Sequence, residues 1–151
     1  MNTKIKKNRD WPTLYVGDVE YKGNSMLEKL QYEAMLTQLV KHTFPNNPTV
    51  AMLGAGTFYF QSRINLKKWS KQDVYEINPD VQSICLTDDF IQPFTVGWDW
   101  FMGDWHDTLE KKYDLLVYEC DEDPVDLERL EQHLNPGGLL LVYFMTWRWL
   151  P

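Results

Sequence analysis

From Thr49 to Phe144, short apolar runs alternate with helical spacings, and this alternation constrains the fold more than any other feature of the chain. Thr49–Leu53 reads as a strand, Phe58–Trp69 as a helix, Asp73–Ile77 as a strand and Pro79–Leu86 as a short helix. Phe94–Phe101 reads as a third strand, interrupted by Gly97, and Tyr113–Tyr118 as a fourth. Pro124–Leu134 has proline in its first turn and acids nearby, as helix starts do. Asn135-Pro136-Gly137-Gly138 is a stop signal, and Leu139–Phe144 a fifth strand. The near-continuous apolar run of Tyr113–Tyr118 suits a strand covered on both faces. Such alternation predicts an α/β fold: a parallel sheet joined by right-handed crossovers.

Before this core, Thr13–Tyr21 is rich in β-formers and broken at Gly17-Asp18, which predicts a short hairpin. Asn24 or Ser25 then caps a helix running to about His42, ended by Pro45 and Pro48. Residues 1–12, with the basic run Lys4–Arg9, are expected to be a flexible arm. The chain thus divides into an arm (1–12), a hairpin and helix (13–48) and an α/β core (49–151), the last two forming one compact domain.

The 151 residues suffice for one domain, and 44% apolar content argues against disorder. The net charge of −7 disfavours nucleic-acid binding, which depends on neutralising phosphates, and is compatible with a cationic small substrate. No apolar run reaches the length of a membrane span, and no secretory signal opens the chain, so a cytoplasmic location is expected. Cys85 and Cys120 show no zinc spacing, and no metal is expected.

In open parallel sheets, ligands bind beyond the carboxyl ends of the strands. Three features fall there. Gly54-Ala55-Gly56 follows the first parallel strand, where glycine permits a tight turn and close approach to backbone amides. Glu76 ends the next strand, 22 residues beyond Gly54, a spacing that suits hydrogen bonds to ribose hydroxyls. Asp104, after Gly103, can accept a hydrogen bond from an adenine amino group, or simply cap a turn. A dinucleotide fingerprint would want glycine at position 59, which is Tyr59, so a nicotinamide dehydrogenase is disfavoured. His106 follows Asp104 closely and borders the same region.

Val50–Gly56 (VAMLGAG), Tyr75–Val81 (YEINPDV), Gly103-Asp104, Tyr113–Asp123 (YDLLVYECDED) and Leu134–Leu139 (LNPGGL) follow the order seen in class I S-adenosylmethionine-dependent enzymes. Over residues 13–145 the chain resembles, more narrowly, the spermidine synthase family. The resemblance implies a Rossmann-like class I methyltransferase-type sheet of about five core strands with an N-terminal β-hairpin. It implies S-adenosylmethionine or its decarboxylated form as co-substrate, with Glu76 on the ribose, Asp104 at the adenine, and Gly54 and Gly56 beneath the tail. Tyr32, within Tyr32-Glu33-Ala34-Met35, matches a tyrosine near the reacting amine. The family's catalytic aspartate falls on Glu119 when counted from Tyr113 and on Cys120 when counted back from Asp123-Pro124. Phe58 and Tyr59 stand where the synthases carry glycines, which puts bulk near the ligand's tail, and Met52 stands where many methyltransferases have an acid. The final helix and strand pair of the family are expected to be missing, leaving an exposed sheet edge that invites pairing with a second chain.

Aminopropyl transfer requires an amine to lose a proton, and Glu119, then Asp121, are the candidate acceptors in the acidic end of the fourth strand. The leading expectation is a spermidine synthase-like enzyme acting on a diamine. The alternatives are a small-molecule methyltransferase or sulfonium-cleaving enzyme, and an inactive ligand-binding or interaction protein of the same fold.

Overall fold

Thr49–Leu53 (β4) is apolar on both faces and buried along its length after Thr49, as the centre of a parallel sheet requires. A computed structural model of the protein describes residues 3–6, 13–16, 19–21, 48–56, 58, 61–62, 71–120 and 125–142. The described strands are β1 (Thr3–Lys6), β2 (Thr13–Val16), β3 (Val19–Tyr21), β4, β5 (Lys71–Glu76), β6 (Asp99–Met102), β7 (Tyr113–Tyr118) and β8 (Leu134–Val142). The described helices are α1 (Pro79–Thr87), α2 (Trp105–Thr108) and α3 (Leu127–Glu131).

Five strands form one parallel sheet in the order β6-β5-β4-β7-β8. The chain runs outward from β4 to β6 and then returns to the other side of β4, so strand order reverses between β4 and β7. Alternate residues of these strands feed two cores. Val50, Met52, Val74, Leu115 and Val117 face α1, with Phe58 and Trp98 among them. Ala51, Leu53, Tyr75, Leu116 and Tyr118 face Trp105 and Leu130 on the other side.

The expected hairpin is present: β2 and β3 pair antiparallel, with Val16 opposite Val19 and two residues between. Within the expected arm, Thr3–Lys6 is corrected to a strand that pairs with β2 along its whole length; residues 1–2 and 7–12 lie outside the described residues. Ile5 packs against the α1-side core.

Two further expectations change. The third strand begins at Asp99 rather than Phe94, because Gln92–Thr95 closes into a 3₁₀ turn in which the Thr95 hydroxyl donates to the Gln92 carbonyl at 2.7 Å. Gly97 follows with φ +87°, a left-handed turn where a strand was expected. The last helix ends at Glu131 instead of Leu134, and Asn135-Pro136-Gly137-Gly138 does not precede β8 but lies within it. Those four residues bulge opposite Asp114 alone, between the pairs Tyr113–Leu134 and Leu115–Leu139. Gly138 is required there because a Cβ would come within 2.8 Å of the Asn135 carbonyl oxygen. The expected helices over 24–42 and most of 58–69 lie outside the described residues, although Gln61 and Ser62 are helical.

Beneath the α2 side of the sheet lies a polar network. Asp73 is completely buried and accepts from the Tyr113 hydroxyl at 2.5 Å. The Tyr75 and Tyr113 hydroxyls are 2.6 Å apart; since Tyr113 spends its proton on Asp73, Tyr75 is the donor of that pair. Desolvation, then donation to Asp73, pushes the Tyr113 phenol far above its ordinary value. Tyr113→Phe removes both hydrogen bonds and leaves buried Asp73 without this donor, and is expected to cost about 1–3 kcal/mol, the penalty for a buried polar group left unsatisfied. Tyr75→Phe, which removes only a neutral pair, is expected to cost about 0.5–1.5 kcal/mol. Urea unfolding of the two variants measures the difference.

Candidate functional site

The sheet's register brings the sequence-predicted residues to one edge. Leu53 is opposite both Tyr75 and Tyr118, and Glu76 is opposite Met102. One residue further on, Gly54 donates its N–H to the Tyr75 carbonyl at 2.8 Å, and Glu119 donates to the Leu53 carbonyl at 2.8 Å. Met102, Glu76, Gly54 and Glu119 therefore form a row across the carboxyl ends of β6, β5, β4 and β7. With strands about 4.8 Å apart, Glu76 and Glu119 flank Gly54 at a backbone separation of roughly 10 Å. The row spans the point where strand order reverses.

Gly54 must be glycine for two reasons. Its φ is +95°, and a Cβ would sit 3.0 Å from the Glu119 carbonyl oxygen. Gly56 is also left-handed, at φ +53°. Three side chains pin the turn between them. Glu76 Oε1 accepts from the Ala55 N–H at 3.0 Å, Gln61 Nε2 donates to the Ala55 carbonyl at 3.2 Å, and Cys85 Sγ donates to the Gly56 carbonyl at 3.4 Å. Burial pushes the Cys85 thiol up to about 12, so it serves as a structural donor and not as a nucleophile.

Glu76 Oε2 accepts from the Asn78 N–H at 2.9 Å, and only 8% of the residue remains exposed. Desolvation raises its carboxyl above the ordinary value, opposed by hydrogen bonds from the Asn78, Ala55 and Ile77 backbones. The next residue, Ile77, is 66% exposed, a large apolar side chain left open beside a buried carboxylate. Sequence reasoning did not single out Ile77, Asn78, Gln61 or Cys85 as parts of a site. An apolar residue just past a strand-end acid was the available signal for Ile77; the others depend on long-range contacts.

Gly103, with φ +125°, donates its N–H to the Glu76 carbonyl at 3.0 Å and so ties the ends of β5 and β6 together. Asp104 then caps α2, accepting from the His106 N–H at 3.0 Å. The same oxygen lies 2.6 Å from His106 Nδ1, and this contact, first among several, holds the Asp104 carboxyl below its usual range. The His106 ring stacks on Trp105 at 3.8 Å between centroids, and the Arg129 guanidinium lies over Trp105 at 5.6 Å.

The expected obstruction by Phe58 is corrected. Its backbone is left-handed, with φ +62°, and its fully buried ring turns into the α1-side core. There it stacks on Trp100 at 5.4 Å and meets Trp98 edge-on at 5.7 Å. Tyr59, Tyr32 and Asp121 lie outside the described residues.

At the far end of the row, Glu119 is half-buried, and desolvation alone pushes its carboxyl up to about 8. Cys120, the other candidate for this position, packs against the α2-side core. A carboxyl raised on folding binds its proton more tightly in the folded chain than in the unfolded one. Its contribution to stability is therefore full below about pH 4.5 and declines as pH rises to about 8. Glu119→Gln is expected to gain stability relative to the parent chain across that interval, read from unfolding midpoints at pH 5 and pH 8.

Among the described residues, no group of three or more His, Cys, Asp or Glu side chains has the arrangement of a metal site, and no helix is long and apolar enough to cross a membrane. No protein-family model matches the sequence, and no curated protein matches it. Solved structures do match. The plantazolicin methyltransferase BpumL, in complex with a monoazolic desmethylPZN analog and SAH, superposes with a TM-score of 0.61 at 14% identity, covering 81% of this chain and 49% of that one. An amino pentose methyltransferase from Micromonospora echinaspora, with SAM bound, gives 0.57 at 15% identity, covering 81% and 52%. The glycopeptide N-methyltransferase MtfA complexed with sinefungin gives 0.52 at 18% identity, covering 73% and 52%. The architecture is thus the Rossmann-like fold of class I S-adenosylmethionine-dependent methyltransferases. The chain spans about half the length of these structures.

Proposed function

We propose that the chain binds S-adenosylmethionine at the carboxyl edge of its sheet and directs methyl transfer to a small acceptor. The observation that carries this reading is the row Glu76–Gly54–Glu119 at the strand-order reversal, with a preorganised glycine turn at its centre. Fold neighbours solved with SAM, SAH or sinefungin support it.

The residues present fit such a ligand. Glu76 offers its remaining lone pairs to the ribose hydroxyls while continuing to hold Ala55. Ile77 supplies an apolar surface for the adenine ring, and Asp104, next to the Gly103 that is tied to Glu76, is the candidate for the amino group. The bare turn at Gly54-Ala55-Gly56 admits the amino-acid tail. Bound S-adenosylmethionine supplies an electrophilic methyl group; the protein's task is to orient the acceptor and exclude water. Glu119, next to Gly54, serves as the proton acceptor for an acceptor amine or hydroxyl. A carboxyl near 8 is matched to that work at neutral to mildly alkaline pH.

The same Glu119 favours a second reading, aminopropyl transfer from the decarboxylated co-substrate to a diamine, as in the spermidine synthases that the sequence resembles. Asp121 and Tyr32 belong to that reading. The structural neighbours favour methyl transfer. Calorimetric titration with S-adenosylmethionine, its decarboxylated form, S-adenosylhomocysteine (SAH) and methylthioadenosine tests the site, and turnover separates the reactions. Binding of all four without turnover of either donor would indicate a ligand-binding protein; binding of none would reject the nucleoside site.

A further inference from the structure

The hydrogen bonds that hold Glu76 continue past it. Asn78 donates its backbone N–H to Glu76, caps α1 by accepting from the Asp80 N–H at 2.9 Å, and donates Nδ2 to the Thr3 hydroxyl at 3.1 Å. Thr3 lies on β1, in the separate antiparallel sheet, 75 residues away in sequence. Ile5, two residues on and so on the same face of β1, packs into the core that contains Val81 of α1. Lys4, between them, is exposed. Among the described residues, the hairpin sheet therefore docks on the start of α1 through a polar contact at Thr3 and an apolar one at Ile5. Through Asn78, the polar contact reaches Glu76, Ala55 and Gln61 in an unbroken series. An aspartate at position 78 would cap α1 equally well and would accept from the Thr3 hydroxyl in turn, whereas a serine there would cap α1 but be too short to reach Thr3.

We propose that Asn78 is a positioning residue for the Glu76 carboxylate and that Thr3 is its anchor, so that docking of the N-terminal hairpin and the grip on the ligand's ribose reinforce one another. The ligand half rests on the nucleoside assignment; the coupling of hairpin to carboxylate does not.

Three variants of the full chain test it. Thr3→Val is nearly isosteric and removes the hydroxyl, Thr3→Ser keeps it, and Asn78→Ser keeps the cap but falls short of Thr3. In unliganded protein, Thr3→Val is expected to speed amide exchange at Ala55 and Asn78 about two- to tenfold, the worth of one neutral hydrogen bond. Thr3→Ser is expected to restore the parent rates, and Asn78→Ser to match Thr3→Val at Ala55. SAH affinity is expected to fall by a similar factor in Thr3→Val. A purely structural role would instead speed exchange uniformly, including at Val74 and Leu116 in the sheet. Unchanged or uniformly changed rates at Ala55 and Asn78 would overturn the coupling, whatever the ligand does. Shifted rates with unchanged SAH affinity would overturn the reinforcement of the grip. Shifted rates in a parent chain that binds no SAH would reject the nucleoside assignment and leave the coupling standing.

Discussion

Glu76→Ala is expected to weaken SAH binding by at least about 100-fold while leaving the chain folded. Two hydrogen bonds from ribose hydroxyls to a carboxylate contribute about 1.5–3 kcal/mol each, and each 1.4 kcal/mol is a tenfold change in affinity. A second loss adds to this. The carboxylate also fixes the Ala55 N–H, so its removal frees the turn that receives the ligand's tail. The fold survives because alanine leaves no charge in the space the carboxylate occupied. Desolvation raises the Glu76 carboxyl, so its charged form is costly in the free protein. Glu76→Gln places an N–H₂ group against either Ala55 N–H or Asn78 N–H, and is expected to impair binding nearly as much. Binding should also weaken as pH falls through the raised Glu76 value, because protonation replaces an acceptor with a donor. Calorimetry on the parent chain and both variants measures all of these effects.

Phe58→Ala is expected to give the largest loss of stability, about 3–5 kcal/mol for truncating a fully buried aromatic ring. The more telling result is the order of the two small replacements. At an ordinary position alanine is more stable than glycine. Phe58 has φ +62°, where a Cβ costs about 1–2 kcal/mol, so Phe58→Gly should be more stable than Phe58→Ala by about 1 kcal/mol. The inverted order would show that this position is a glycine site on which a phenylalanine has been retained for its packing against Trp98 and Trp100. Such strain persists because the two tryptophans over-determine the ring's place. Urea denaturation of the pair, with equal slopes, is sufficient.

What the sequence made legible followed from local rules. The apolar run of Tyr113–Tyr118 defines β7 residue for residue, and Thr49–Leu53 does the same for β4. The glycines at 54 and 56 and the acid at 76 fall at strand ends because the strands themselves were readable. Illegible features had competing local chemistry or distant partners. Asn135-Pro136-Gly137-Gly138 carries the residues of a turn, yet β7 holds the chain on either side and the surplus becomes a bulge. Phe94 has a strand former's side chain, but Pro93 and the Thr95 hydroxyl close a 3₁₀ turn around it. In sequence, Asp104 suits both an adenine acceptor and a cap. The cap is what its hydrogen bonds make, and its contact with His106 exists only because the cap folds that ring back onto the same oxygen. Asp73, Tyr75 and Tyr113 appear unremarkable in sequence, because only the sheet brings residues 40 apart within hydrogen-bonding distance.

The site itself is most directly tested by following backbone amide resonances during a titration with SAH. The expected result is a set of saturable shifts at Gly54, Ala55, Gly56, Ile77, Gly103 and Asp104, abolished together in Glu76→Ala. Saturable shifts confined to other parts of the molecule, or none at millimolar ligand, would contradict the assignment of a nucleoside crevice to this end of the sheet.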